Sequence, residues 1–140
     1  MKFITYTEQS TEDLAAGLAR EMVGGEVLAL VGELGAGKTA FCRGLAKGLK
    51  VTETVNSPTF VVMRVYDIKK AKIKQFVHID AYRLNQGKEL TDIGVDDYLG
   101  QNDVVMAIEW ADKVTEIWPA KVKVINFKTK EDGGREIEVY

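Results

Sequence analysis

Residues 26–39, EVLALVGELGAGKT, constrain this chain more than any other segment. The nearly continuous apolar run at 26–31 predicts a strand buried on both faces, the usual situation in a parallel sheet. Gly32-Glu33-Leu34-Gly35-Ala36-Gly37-Lys38-Thr39 follows at once and fits G-x-x-x-x-G-K-[ST] at every required position. A helix is predicted from about Lys38 to Leu49. Glycines in such a loop permit positive φ and let backbone N–H groups approach phosphate oxygens with no Cβ in the way. The helix N-terminus adds further donors and the positive end of its dipole. In this setting Lys38 places a point charge at the β- and γ-phosphates of a nucleotide, and the Thr39 hydroxyl ligates Mg²⁺.

The rest of the pattern predicts an α/β fold, a P-loop NTPase-like mixed sheet flanked by helices with an inserted antiparallel hairpin. Residues 3–6 read as a short edge strand. Ser10 reads as an N-cap with Asp13 as its reciprocal acid, opening a helix that carries Leu14, Leu18 and Met22 on one side and ends at Gly24-Gly25. Residues 59–67 and 73–80 read as the hairpin, joined by a lysine-rich turn. Short helical pieces are expected over Lys88 to Leu99, and VVMAIE at 104–109 reads as another buried strand. Late strands are expected at 122–127 and 135–140, joined by a turn at Asp132-Gly133-Gly134.

At 140 residues, the chain suits one domain, 1–140, with no room for a separate substrate domain. A formal net charge of −2 argues against strong autonomous nucleic-acid binding. The run Lys69, Lys70, Lys72, Lys74 has no interleaved aromatics and reads as a solvated hairpin tip. Cys42, the single cysteine, excludes an internal disulfide and reads as a small buried helix residue. No apolar stretch is long enough to span a bilayer, and the N-terminus lacks the apolar region of a signal peptide, so a cytoplasmic protein without membrane attachment is expected.

A phosphate loop needs an acid at the end of a neighbouring strand. Asp80, ending FVHID, and Glu109, ending VVMAIE, both have that position, and spacing does not say which ligates metal and which positions water. Ser57-Pro58-Thr59-Phe60 reads equally as a switch loop that senses the γ-phosphate and as an ordinary proline turn. His78, on the same strand face as Asp80, suits a packing or supporting role better than catalysis. Trp110 reads as a core residue. Asp97-Tyr98-Leu99-Gly100 and Thr129-Lys130-Glu131-Asp132 mimic GTPase signatures, but Asp97 does not end an apolar strand and Thr129–Asp132 leads into a glycine turn. A small-molecule kinase would need an arginine-rich lid that the chain does not offer. A nucleotide-gated binding module, in which hydrolysis only resets the switch, stays open beside an ATPase.

GELGAGKT, VNSPTF at 55–60, HIDAYRL at 78–84 and IEWAD at 108–112, in this order, resemble the bacterial TsaE family, the ATPases of tRNA threonylcarbamoyladenosine biosynthesis. The resemblance covers nearly the whole chain. It implies binding of ATP or ADP with Mg²⁺, slow hydrolysis unless partnered, and work with TsaD and TsaB, with tRNA engaged only through that complex. Carried over by position, Lys38 and the backbone of Leu34, Gly35, Ala36, Gly37 and Thr39 hold phosphates. Thr39 and Glu109 form the metal site, and Asp80 orients water or completes the metal shell. Lys38, Asp80 and Glu109 are then the residues on which hydrolysis depends. Ser57 and Thr59 belong to the switch-like segment, Arg135 flanks the base, and Thr11 lies in the segment that closes over it. Tyr82 and Arg83 complete H-x-D-x-Y-R. Ala40 departs from the second hydroxyl that many members carry after the loop threonine, which implies altered phosphate contacts. Relatives often extend past the last strand, so contacts made there are expected to be missing or supplied by another chain.

Overall fold

The computed structural model describes residues 1–33, 35–55, 61–69 and 72–140. Seven strands form one mixed sheet: β1 (Lys2–Thr5), β2 (Val27–Gly32), β3 (Met63–Asp67), β4 (Gln75–Asp80), β5 (Val104–Glu109), β6 (Lys123–Thr129) and β7 (Arg135–Val139), in the order β1-β7-β6-β2-β5-β4-β3. The central strands β6, β2, β5 and β4 run parallel, and β3, β7 and β1 pair antiparallel at the two sides. β3 and β4 are the inserted hairpin, and Lys69, Lys72 and Lys74 at its end are exposed. Part of the predicted first hairpin strand, 59–60, lies outside the described residues, as does Lys70.

Period-two alternation divides the sheet into two cores. Leu28 and Leu30 of β2, Phe76 of β4, Val105 and Ala107 of β5 and Phe127 of β6 face α1 (Glu8–Arg20) and α2 (Lys38–Gly48). Val27, Ala29, Val77, Ile79, Met106 and Ile108 face α3 (Lys88–Asp92) and two 3₁₀ segments, Val95–Asp97 and Ala111–Ile117. Phe41 of α2 meets Phe127 edge-on at 5.4 Å, a geometry that adds about 0.5–1.5 kcal/mol beyond burial. The 3₁₀ segment after β5 was not foreseen from sequence. Among the described residues no helix is long and apolar enough to cross a membrane.

Helix α1 corrects two expectations. Its N-cap is Thr7, extended at φ −135° and ψ 159°, whose hydroxyl accepts from Ser10 N at 3.0 Å. Ser10 is therefore inside the first turn, and Asp13 accepts from the Gln9 amide. A cap of this kind contributes about 1 kcal/mol. The helix ends at Arg20, before the glycine pair. Gly24 serves a different need, since at φ 107° a Cβ would lie 2.0 Å from the Asn102 carbonyl oxygen.

The two helices approach each other through small residues. Ala15, Ala16 and Ala19 of α1 are buried, whereas Leu14 and Leu18 are only partly so. A Cβ at Gly44 would come 2.2 Å from the Glu12 carbonyl oxygen, and one at Gly48 2.5 Å from that of Ala16. Gly44→Ala is expected to force the helices apart and lower stability by about 1–3 kcal/mol. Gly17→Ala, on the exposed side of α1 with nothing within 4 Å, is expected to raise it by about 0.5–1 kcal/mol. Urea denaturation of the two variants checks both signs.

Candidate nucleotide site

The phosphate loop joins the C-terminal end of β2 to the N-terminus of α2, with Gly35 at φ 75° and Gly37 at φ 102°. Both values lie where side chains with a Cβ are strained. Ala36, within the loop, is fully buried. Lys38 opens α2 and is only 5% exposed. Its ammonium folds back onto the loop, donating to the carbonyls of Gly32 at 2.9 Å and Glu33 at 2.7 Å. Burial lowers its pKa, and the negative charges of Glu109, Asp112, Asp80 and Glu33 oppose that shift.

The strand register brings the acids to the same place. β4 and β5 are parallel neighbours with Asp80 opposite Glu109 and His78 opposite Ala107. Both strands therefore end at the edge where β2 delivers the loop, as in other open α/β sheets that bind ligands beyond their strand ends. Glu109 shares its face with Val105 and Ala107 and so points toward α2. Its Oε1 accepts from the Thr39 hydroxyl at 2.9 Å, and its Oε2 lies 2.6 Å from His78 Nε2. Asp80 Oδ1 accepts from Tyr82 N at 3.0 Å. Hydroxyl and carboxylate oxygens side by side are the donor set of a hard divalent cation.

Lys38, Thr39, Asp80 and Glu109 border a cleft of about 520 Å³. Of the residues singled out from sequence, Thr11, Gly35, Gly37, Lys38, Thr39, Asp80, Glu109 and Arg135 line it. Leu34, Ser57 and Thr59 lie outside the described residues. Thr11 is buried, and its hydroxyl pairs with that of Thr5 at 2.7 Å. Arg135 reaches the cleft from the start of β7 while donating to Gly133 O.

Sequence reasoning misplaced Trp110, which lines the cleft and does not belong wholly to the core. Its ring lies 4.1 Å from Lys38 Nζ and 5.1 Å from the Tyr82 ring. Its backbone is left-handed at φ 56° and ψ 39°, a conformation that is an outlier for a bulky residue and concentrates at functional sites. Tyr6 and Thr7 were also missed, and Arg43 could not be placed from sequence. Arg43 lines the cleft from α2, one turn beyond Thr39, whereas Tyr6 and Thr7, at the start of α1, are brought there by the packing of α1 on α2. The GTPase-like segments are elsewhere. Asp97 ends a 3₁₀ turn, and Asp132 accepts from Tyr6 OH and Gly134 N within the last hairpin. Thr129 does touch the loop, donating to the Glu33 carboxylate at 2.7 Å.

The family model for threonylcarbamoyl adenosine biosynthesis protein TsaE matches residues 5–137. The chain is similar to the tRNA threonylcarbamoyladenosine biosynthesis protein TsaE of Bacillus subtilis, at 36% identity over 98% of this chain and 83% of that protein. It is also similar to that of Treponema pallidum, at 34% identity over 99% of both. The crystal structure of Bacillus subtilis YdiB superposes with a TM-score of 0.79 at 32% identity, covering 98% of this chain and 82% of that one.

Cys42 is one turn beyond Thr39 and fully buried, and burial together with the nearby charges of Glu109 and Asp80 pushes its thiol well up. Reaction with a thiol reagent at neutral pH is therefore expected to be at least about a thousandfold slower in native than in urea-unfolded protein, since it must await opening of a stable fold. Absorbance of the released thiolate measures both rates.

Proposed function

The chain belongs to the TsaE family of tRNA threonylcarbamoyladenosine biosynthesis proteins, and from that premise we propose that it is a Mg²⁺-dependent ATP-binding protein and a slow ATPase activated by TsaD and TsaB. The observation that carries the proposal is the convergence of Lys38, Thr39 and Glu109 on one cleft, with the Thr39 hydroxyl 2.9 Å from the Glu109 carboxylate.

Each residue has a physical role in this reading. Lys38 exchanges the carbonyls of Gly32 and Glu33 for phosphate oxygens, so its charge is held ready by groups that the ligand displaces. The loop N–H groups and the start of α2 bind the remaining phosphate oxygens. Thr39 and Glu109 hold the metal, and Asp80, beside Glu109 in the sheet, orients the attacking water. A Mg²⁺ ion held by these residues would supply positive charge to offset that of the phosphates. Trp110 covers one side of the Lys38 ammonium and keeps water from it. Arg135 and the segment around Thr11 flank the base.

Phosphoryl transfer depends mainly on positioning and charge stabilisation, so a site lacking one group binds well and turns over slowly. Among the described arginines, Arg43 borders the cleft but is held at 3.5 Å by Glu8 and 3.9 Å by Glu12. A partner that engages the segment containing Ser57 and Thr59, or that supplies a cation, would complete the site. Transfer RNA is then met through the complex.

Phosphate release from ATP tests this directly. It is expected to be slow for the isolated protein, to rise when TsaD, TsaB and tRNA are added, and to vanish in Lys38→Ala, with a loss of about a hundredfold or more. Release that stays flat when partners are added contradicts the partner-activated reading.

A further inference from the structure

His78 is the one histidine of the chain, and it is fully buried. Its Nε2 lies 2.6 Å from Glu109 Oε2. Its Nδ1 is buried and has no hydrogen-bond partner among the described residues. An orphaned buried polar atom is costly, and a residue kept despite that cost calls for an explanation beyond packing. Phe76, two residues earlier on the same strand face, carries an apolar ring that lies nearly parallel to the imidazole at 6.4 Å.

Resting on the reading of the cleft as a Mg²⁺–nucleotide site, we propose that His78 is a positioning residue that fixes the rotation of the Glu109 carboxylate and so presents Oε1 to the metal at Thr39. Glu109 is 3% exposed, so water cannot readily replace a lost partner. Thr39 engages Oε1 and His78 engages Oε2. The donor atoms of Cys42, His78 and Glu109 lie within 4.8 Å of one another. The 2.6 Å spacing between Nε2 and Oε2 is that of a hydrogen bond, so this group works as a bonded support behind the carboxylate. Without the Nε2 contact, Oε2 is left buried and unmatched, and the carboxylate turns to recover a donor. Partners of this kind behind metal-binding carboxylates typically govern metal affinity by 10- to 100-fold.

The test is calorimetric binding of ADP to the full chain across a Mg²⁺ series, for wild type, His78→Leu, His78→Gln and His78→Asn. In His78→Leu the Mg²⁺ concentration that half-saturates the tightening of ADP is expected to rise about tenfold or more, with ADP affinity in the absence of Mg²⁺ unchanged. His78→Gln, whose amide N–H reaches the Nε2 position, is expected to restore most of the response. His78→Asn is too short and is expected to behave like the leucine variant. If the leucine variant fails to fold, the Gln and Asn pair decides the question. A Mg²⁺ response in His78→Leu equal to wild type overturns the proposal, as does equal behaviour of Gln and Asn. A wild-type protein whose ADP binding ignores Mg²⁺ overturns the nucleotide-site reading itself, whereas a responsive wild type with an unaffected leucine variant overturns only the role of His78.

Discussion

The Glu109 carboxylate is the point on which the site depends. One oxygen meets the Thr39 hydroxyl at the start of α2 and the other meets His78 on the neighbouring strand. A buried carboxylate is tolerable only when such partners surround it. This short chain of bonds ties together three pieces of sequence separated by 70 and 31 positions. The sheet makes the connection possible. β2, β5 and β4 are parallel neighbours, so they deliver the loop, Glu109 and Asp80 to the same edge. Alternation along β4 and β5 then turns His78, Asp80 and Glu109 toward one helix.

The loop lysine is held in a charged, largely buried setting. Lys38 is nearly buried, which disfavours its ammonium, yet it is satisfied by two loop carbonyls and by the face of Trp110. Backbone strain at Trp110 falls directly after Glu109 and at the head of the 3₁₀ segment. The strained turn places the indole over the lysine, where continued extended chain would carry it past the sheet edge. Local strain at this junction is thus coupled to the polar network beside it, and the apolar cores on both sheet faces hold the arrangement in place.

How much of this was legible in the sequence follows from how local each signal is. The glycine-rich loop, its flanking strand and its helix are contiguous, and the residue types alone locate them. Asp80 and Glu109 were found because each ends an apolar run. His78 was placed on the correct face because strand alternation needs no tertiary knowledge. Thr7 was missed as the cap because Thr7 and Ser10 are both capping types, and only the extended backbone at Thr7 distinguishes them. Trp110 looked like core because aromatic residues after buried strands usually are, and nothing local announces a left-handed backbone. The part of the cleft formed by Tyr6 and Thr7 depends on α1 lying against Gly44 and Gly48, a fit that neither helix reveals alone.

The central claim is that Thr39 and Glu109 form the metal site of a nucleotide-binding cleft. The most direct measurement is anomalous diffraction from crystals of the protein grown with Mn²⁺ and a non-hydrolysable ATP analogue. A manganese peak within coordinating distance of Thr39 Oγ1 and beside the Glu109 carboxylate, with phosphate density along Lys38 and the loop, is the predicted result. A manganese peak away from both residues, or an analogue bound elsewhere with the loop empty, would contradict the account.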